Sequence, residues 1–347
     1  MNRLLIISFT SLLITGAITS FSWRSSVPQI KKVDVSIISV EEALFRLGDE
    51  KLNHSITELD LEKAKIGQDL IYFGRTVRDG KKSKRISSYF VCTDCHNMSK
   101  EFEDITSQDP SERLVYAKKN GLEFLPGSTL WGIYNRTSFY NDDYVRKYRD
   151  LVDDARNSLE NSTQLCAKYC SSGRNLENWE LEGIMHYFKK NQLMIKDLNL
   201  SEDNRSLLAS YQNLSDPERT KLISAIKAEY VEGYAATFLE TMPRDKRKYG
   251  EGGDVENGKT IYEKSCMYCH ENKRVTYLHL DQGKLTGKMF WRNIKSYNDR
   301  SLYQIIRHGT YSKAGRKQYM PHYTEEKMSD AQLNDLVAYI KLIAKKK

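Results

Sequence analysis

Two five-residue strings constrain this chain more than anything else: Cys92-Thr93-Asp94-Cys95-His96 and Cys266-Met267-Tyr268-Cys269-His270. In each, two thiols separated by two residues are followed at once by an imidazole. Thiols at i and i+3 share one helical turn. They reach the two vinyl groups on one edge of a porphyrin, while the adjacent histidine swings under the iron as a neutral ligand. Two other chemistries use a Cys-x-x-Cys pair. A zinc site gathers four ligands in a tetrahedron, and a thiol redox pair has no use for a trailing histidine in both places. The repeated pattern therefore predicts two covalently bound c-type haems, on Cys92, Cys95, Cys266 and Cys269, with His96 and His270 as iron ligands.

The surroundings of the two motifs repeat as well. Residues 67–73 resemble 258–262, and each stretch leads into its motif, the first after a basic insertion at 75–85. Later, Leu181-Glu182-Gly183-Ile184-Met185-His186-Tyr187-Phe188-Lys189 aligns without a gap on Leu333-Asn334-Asp335-Leu336-Val337-Ala338-Tyr339-Ile340-Lys341. The same order in both halves marks an internal repeat. The last segment carries Leu333, Leu336, Val337, Ile340 and Ile343 on one helical stripe behind a Ser329 cap. Strand patterns are few, so the expected class is mainly α. The expected organisation is a signal peptide or anchor at 1–24, an N-terminal extension at 25–60, a first domain at 61–200, a helical linker at 201–250 and a second domain at 251–347.

Met1-Asn2-Arg3 followed by the apolar run 4–18 reads as a secretory signal. Extended to Trp23, the run nears the ~20 residues that span a bilayer, so an inner-membrane anchor stays open. Export to the periplasm is expected either way, because c-type haem is attached outside the cytoplasm. The net charge of +8 is spread along the chain and partly sits in the signal and the Lys345-Lys346-Lys347 tail. No nucleic-acid motif accompanies it, and nucleic acid is not an expected partner.

The sixth ligand decides what each iron does. Tyr319-Met320-Pro321 lies between the second motif and the last helix, and a methionine before proline there predicts thioether ligation by Met320. Met289 and Met328 are the rival ligands, with core filling as their other reading. His279, His308 and His322 read as pocket or surface residues. In the first half the matching position is Lys168, flanked by Cys166 and Cys170. A thiolate is an established haem ligand, so one of these two is the expected sixth ligand. The other readings are a Cys166–Cys170 disulfide, geometrically awkward at four-residue helical spacing, or two buried thiols. His186 reads as a core histidine, and the Tyr- and Arg-rich stretch 131–149 as packing on a haem edge, with the lining of a site as the alternative.

The tandem layout, with a distal Cys in the first half and a distal Met in the second, resembles the dihaem thiosulfate dehydrogenases and, more distantly, the dihaem sulfur-oxidation cytochromes. Cys166, Gly173 and Leu176 fall at the family's spacing before an amphipathic helix at 181–188, and the likeness covers roughly 67–193 and 254–343. It implies two tandem class I cytochrome c-like domains joined by a helical linker. It also implies His96/Cys166 ligation at the first iron, His270/Met320 at the second, and oxidation of thiosulfate to tetrathionate at the first haem. The chain departs from the family at Cys170, where the family has Ser, and at Tyr319, where it has a basic residue. The segment between His96 and Cys166 is also longer. A dianionic substrate needs fixed cations. Arg136, Lys168 and Arg174 are the candidates, with Cys166 as the catalytic group.

Two functions stand as expectations. The first is an exported dihaem electron carrier exchanging electrons with a protein partner, a donor or acceptor cytochrome or an oxidase. The alternative is a thiosulfate dehydrogenase-like oxidoreductase acting on a small sulfur anion. A dihaem peroxidase needs an iron with an open position and an acid/base residue beside it, and the Cys pair at the ligand position argues against it.

Overall fold

A computed structural model describes residues 34–271, 275–296, 298, 300–310 and 319–345. The expected signal or anchor at 1–24 and the start of the N-terminal extension lie outside the described residues. The first half contains α1 (Val40–Leu47), α2 (Leu61–Phe73), α3 (Pro110–Asn120), α4 (Asp142–Tyr148), α5 (Leu159–Leu165) and α6 (Asn178–Lys190). Next come α7 (Glu202–Ala209) and α8 (Asp216–Lys227). The second half contains α9 (Val255–Ile261), α10 (Tyr268–His270), α11 (Lys284–Ile294), α12 (Leu302–His308) and α13 (Asp330–Ala344). The basic insertion forms a small antiparallel hairpin, β1 (Val77–Arg78) with β2 (Lys81–Lys82). The fold is mainly α. Among the described residues no helix is long and apolar enough to cross a membrane.

Local chemistry sets the helix ends that matter. The Asp60 carboxylate accepts from the Glu62 and Lys63 N–H groups and starts α2, which Gly74 ends in the left-handed region (φ +67°). Ser329 and Gln332 satisfy each other's backbone in a capping box that starts α13.

The two halves use one helix crossing. A Cβ on Gly67 of α2 would lie 2.0 Å from the Gly183 carbonyl oxygen of α6, and a Cβ on Gly258 of α9 would lie 2.0 Å from the Asp335 carbonyl oxygen of α13. Gly183 and Asp335 occupy the same column of the repeated nine-residue segment. Only glycine lets the helix axes approach this closely.

Three apolar cores result. Leu70, Ile71, Leu130, Ile184, Tyr187 and Phe188 centre the first half; Ile261, Tyr262, Leu336, Val337 and Ile340 centre the second. Leu114, Ala117 and Phe124, which precede the first half's last helix, belong to the second half's core. Ile38, Val40, Ala43 and Leu44 pack with Leu193, Leu208, Leu222 and Ile226, so the N-terminal extension and the linker share a third core.

Candidate haem sites

Both motif histidines are oriented the same way. His96 Nδ1–H donates to the Ser128 carbonyl at 2.5 Å, and His270 Nδ1–H donates to the Leu278 carbonyl at 2.9 Å. This fixes the tautomer and leaves Nε2 as the metal-binding nitrogen. Burial holds both imidazoles below the ordinary histidine range, which keeps them neutral. Against His96 the strap residue must be glycine, since a Cβ on Gly127 would sit 2.5 Å from the ring. The strap is pinned from behind. Buried Arg113 donates to Glu101 at 2.7 Å and to the Leu125 carbonyl at 2.8 Å, while Thr129 N–H donates to Glu101 at 3.2 Å.

None of the motif cysteines is joined in a disulfide. Burial pushes Cys92 up to about 11, Cys266 up to about 12, and Cys95 upward too. Such thiols stay protonated at neutral pH, the form that adds across a vinyl group. Among the described residues no three His, Cys, Asp or Glu side chains gather as a metal cluster, so a tetrahedral zinc set is not built there.

Cys92, Cys95 and His96 line one wall of a cavity of about 700 Å³. That is within the ~300–1,000 Å³ usual for cofactor pockets. Leu70, Ile86, Leu130, Ile133, Ile184 and Phe188 give it apolar walls suited to a porphyrin face. Cys166 and Cys170 also line it, from a single turn of π-helix, Cys166–Cys170. A hydrogen bond between these two thiols raises Cys166 and lowers Cys170. Tyr140, Tyr144 and Tyr148 line the same cavity. His186 is buried elsewhere, with Nδ1 accepting the Asp60 N–H at 3.1 Å.

The three cations proposed from sequence separate. Arg136 is buried and lines the cavity. Lys168 is exposed, with its ammonium 5.0 Å from the Tyr169 ring centroid, and does not line the cavity. Arg174 forms a bidentate pair with buried Glu180 (2.6 and 2.7 Å) and binds the carbonyls of Lys84 and Arg85, fastening the basic hairpin to α6. One cation was missed in the sequence: buried Lys327, which reaches this cavity from the second half. In sequence it is an ordinary polar-loop lysine, with no signal of burial.

Met320 sits at the seam. It packs against the second core and also lines the first motif's cavity. Its backbone is clamped by Thr310 through N–H to the Met320 carbonyl at 3.0 Å and Oγ1 accepting the Met320 N–H at 2.7 Å. Beside it Tyr319 donates to the Cys170 carbonyl at 2.5 Å and meets the Phe90 ring edge-on. Buried Met328 and partly buried Met289 fill the second core.

The two motifs touch. Tyr268, between Cys266 and Cys269, donates its hydroxyl to the carbonyl of Thr93, between Cys92 and Cys95, at 2.8 Å. Phe124 N–H to the Lys264 carbonyl (3.0 Å) and Ser265 Oγ to the Phe124 carbonyl (2.6 Å) continue the seam.

Residues 253–340 match the family model described as cytochrome C oxidase, cbb3-type, subunit III. No curated protein and no solved structure matches the chain. The matched stretch includes Cys266, Cys269, His270 and Met320. The match supports a c-type cytochrome over this stretch; domains of that kind carry covalently bound haem c with its iron and exchange electrons with redox partners.

Proposed function

We propose that this chain is an exported dihaem c-type cytochrome of two tandem class I units, whose haems pass electrons to each other and to a protein partner. The observation that carries it is the contact between the motifs, the Tyr268 hydroxyl on the Thr93 carbonyl at 2.8 Å. Thioether-bound edges rooted in touching segments lie close, and tunnelling falls steeply with edge separation, so the arrangement favours rapid electron exchange. The matching Gly67 and Gly258 crossings and the matching Nδ1 bonds of His96 and His270 support a haem in each half. The signal-like residues 1–24 support a periplasmic location, free or anchored. In this reading the first iron takes His96 and a thiolate of Cys166 or Cys170, and the second takes His270 and Met320. Haem content by pyridine haemochrome tests it: two per chain, falling to one in Cys92→Ala/Cys95→Ala. One haem per chain in the wild type overturns it.

A thiosulfate dehydrogenase-like activity is the second reading, favoured by Cys166, Cys170 and Arg136 sharing the cavity with His96. Exposed Lys168 and paired Arg174 weigh against it. Thiosulfate added to the oxidised protein distinguishes the two. Prompt growth of the reduced haem α-band makes the chain an enzyme, while reduction by dithionite alone makes it a carrier.

A further inference from the structure

The axial chemistry leaves one feature of the first cavity unused. Arg136 and Lys327 line it at 7% and 4% exposure, one from each half of the chain. Both flank one ring: the Arg136 guanidinium carbon is 4.5 Å and the Lys327 ammonium 5.1 Å from the Tyr234 centroid. Arg136 is oriented by Nη2 donating to the carbonyls of Thr129 (2.7 Å) and Trp131 (3.2 Å). Among the described residues neither cation forms an ion pair. The nearby buried carboxylate, Glu101, is held by Arg113 at 2.7 Å, and partly exposed Glu326 is held by Thr237 at 2.6 and 2.9 Å. Three buried basic side chains thus face one buried carboxylate, an excess of two basic groups over acidic ones. Burial, with Arg113 close by, drives Lys327 down to about 7 against the opposing pull of the Glu101 and Glu326 carboxylates. Leaving two such charges unmatched is costly.

We propose that Arg136 and Lys327 form a two-point seat for the two propionate carboxylates of the first haem, so that the second half completes the first half's cofactor site. This rests on the reading that Cys92, Cys95 and His96 carry a haem. The fit is one of charge and place. A porphyrin tethered through its vinyl edge at Cys92 and Cys95 presents two carboxylates elsewhere on its rim, and two carboxylates balance the excess. The second-half loop bearing Tyr319, Met320 and Lys327 then closes on the first haem, which ties insertion of that haem to folding of the other half.

The test is a redox titration of the full-length holoprotein, with the first haem identified as the wave lost in Cys92→Ala/Cys95→Ala. A cation beside the porphyrin favours the reduced iron. Lys327→Met should therefore keep two haems per chain and lower the first-haem potential by about 59 mV, a tenfold shift in the one-electron ratio. Lys327→Arg should restore it, which a merely space-filling role would not do. Lys327→Gln gives the same comparison should the methionine variant fail to fold. Two haems with unchanged potential overturn the seat and leave the dihaem reading intact. A single wild-type haem that survives Cys92→Ala/Cys95→Ala overturns that reading, and the seat with it. Sulfite titrated into the oxidised wild type should leave the Soret band unmoved. A saturable shift, lost in Lys327→Met, would assign the seat to a free anion and overturn the propionate assignment.

Discussion

Gly67→Ala probes the crossing on which the first half is built. The new Cβ would meet the Gly183 carbonyl oxygen at 2.0 Å, its carbon at 2.5 Å and the Ile184 nitrogen at 2.8 Å, all backbone atoms. Ordinary contact begins near 3.4 Å, so α2 must back away by about 1.4 Å or rotate. Overpacking typically costs ~1–3 kcal/mol. The top of that range applies here, because no rotamer change relieves a clash with main chain. Alanine returns up to ~1 kcal/mol of helix propensity, leaving a net loss of about 2 kcal/mol. With a guanidinium slope of roughly 4 kcal/mol/M, the midpoint of the transition should fall by about 0.5 M. Gly258→Ala makes the same clash with Asp335 and should cost as much, but disturb the second haem's Soret dichroism rather than the first's. Lys65→Ala, on the exposed face of α2, is the control and should stay within ~0.5 kcal/mol. A Gly67→Ala midpoint equal to or above that of wild type would mean that α2 and α6 do not meet at this glycine.

Three further outcomes follow from the sites. Burial raises the Glu101 carboxyl, but the charges of Arg113 and Lys327 and the hydrogen bonds from Arg113 and Asn97 outweigh it and hold it at about 2. Its folded value is below the unfolded ~4.3, so its stabilisation is complete above that pH and is lost as pH falls towards the folded value. Thermal melts of Glu101→Gln should be lower at neutral pH and flatter between pH 5 and 2 (roughly the linkage window); curves parallel to wild type would refute the pairing. Met320→Ala should open the second haem to carbon monoxide when reduced. No binding would exclude Met320 as a ligand, and binding at the first haem would move its thioether to that iron. Cys166→Met should raise the first-haem potential, since thioether replaces an electron-donating thiolate; an unchanged potential would make Cys170 the ligand.

What was legible in the sequence is what local chemistry controls. The Cys-x-x-Cys-His strings, the Ser329 cap and the stripe of α13 depend on neighbours three or four residues away; α13 and its cap form as read, while the first motif makes only a single 3-10 turn at Cys92–Asp94 and the second runs from a π-helical segment into α10. The repeat placed Gly183 opposite Asp335, and that column turns out to be the crossing point in both halves. The role of Arg174 was not legible, because its partner Glu180 looks in sequence like any helix-start acid. Nor was Lys327. Its burial depends on Tyr234 and Arg136, which lie far away along the chain.

The deepest difference is at the seam. A repeat of two units suggests two domains that each bury their own core, yet residues are exchanged in both directions. Phe124, fully buried, leaves the first half for the second core, with its carbonyl holding Ser265 one residue before Cys266. In return, Tyr319 and Lys327 leave the second half for the first cavity. Arg113 joins both exchanges: it lies over the Phe124 ring at 4.8 Å, grips Glu101 behind the His96 strap and contacts the Lys327 carbonyl at 3.5 Å. A buried pair of this kind is a poor source of net stability compared with apolar packing, but breaking one partner costs ~3–5 kcal/mol. Its value here is positional. It couples the strap that aims His96, the loop that carries Lys327 and the segment that touches the second motif, so the two motifs keep one register relative to each other. In the proposed dihaem reading, electron exchange between the haems depends on that register more than on either site alone.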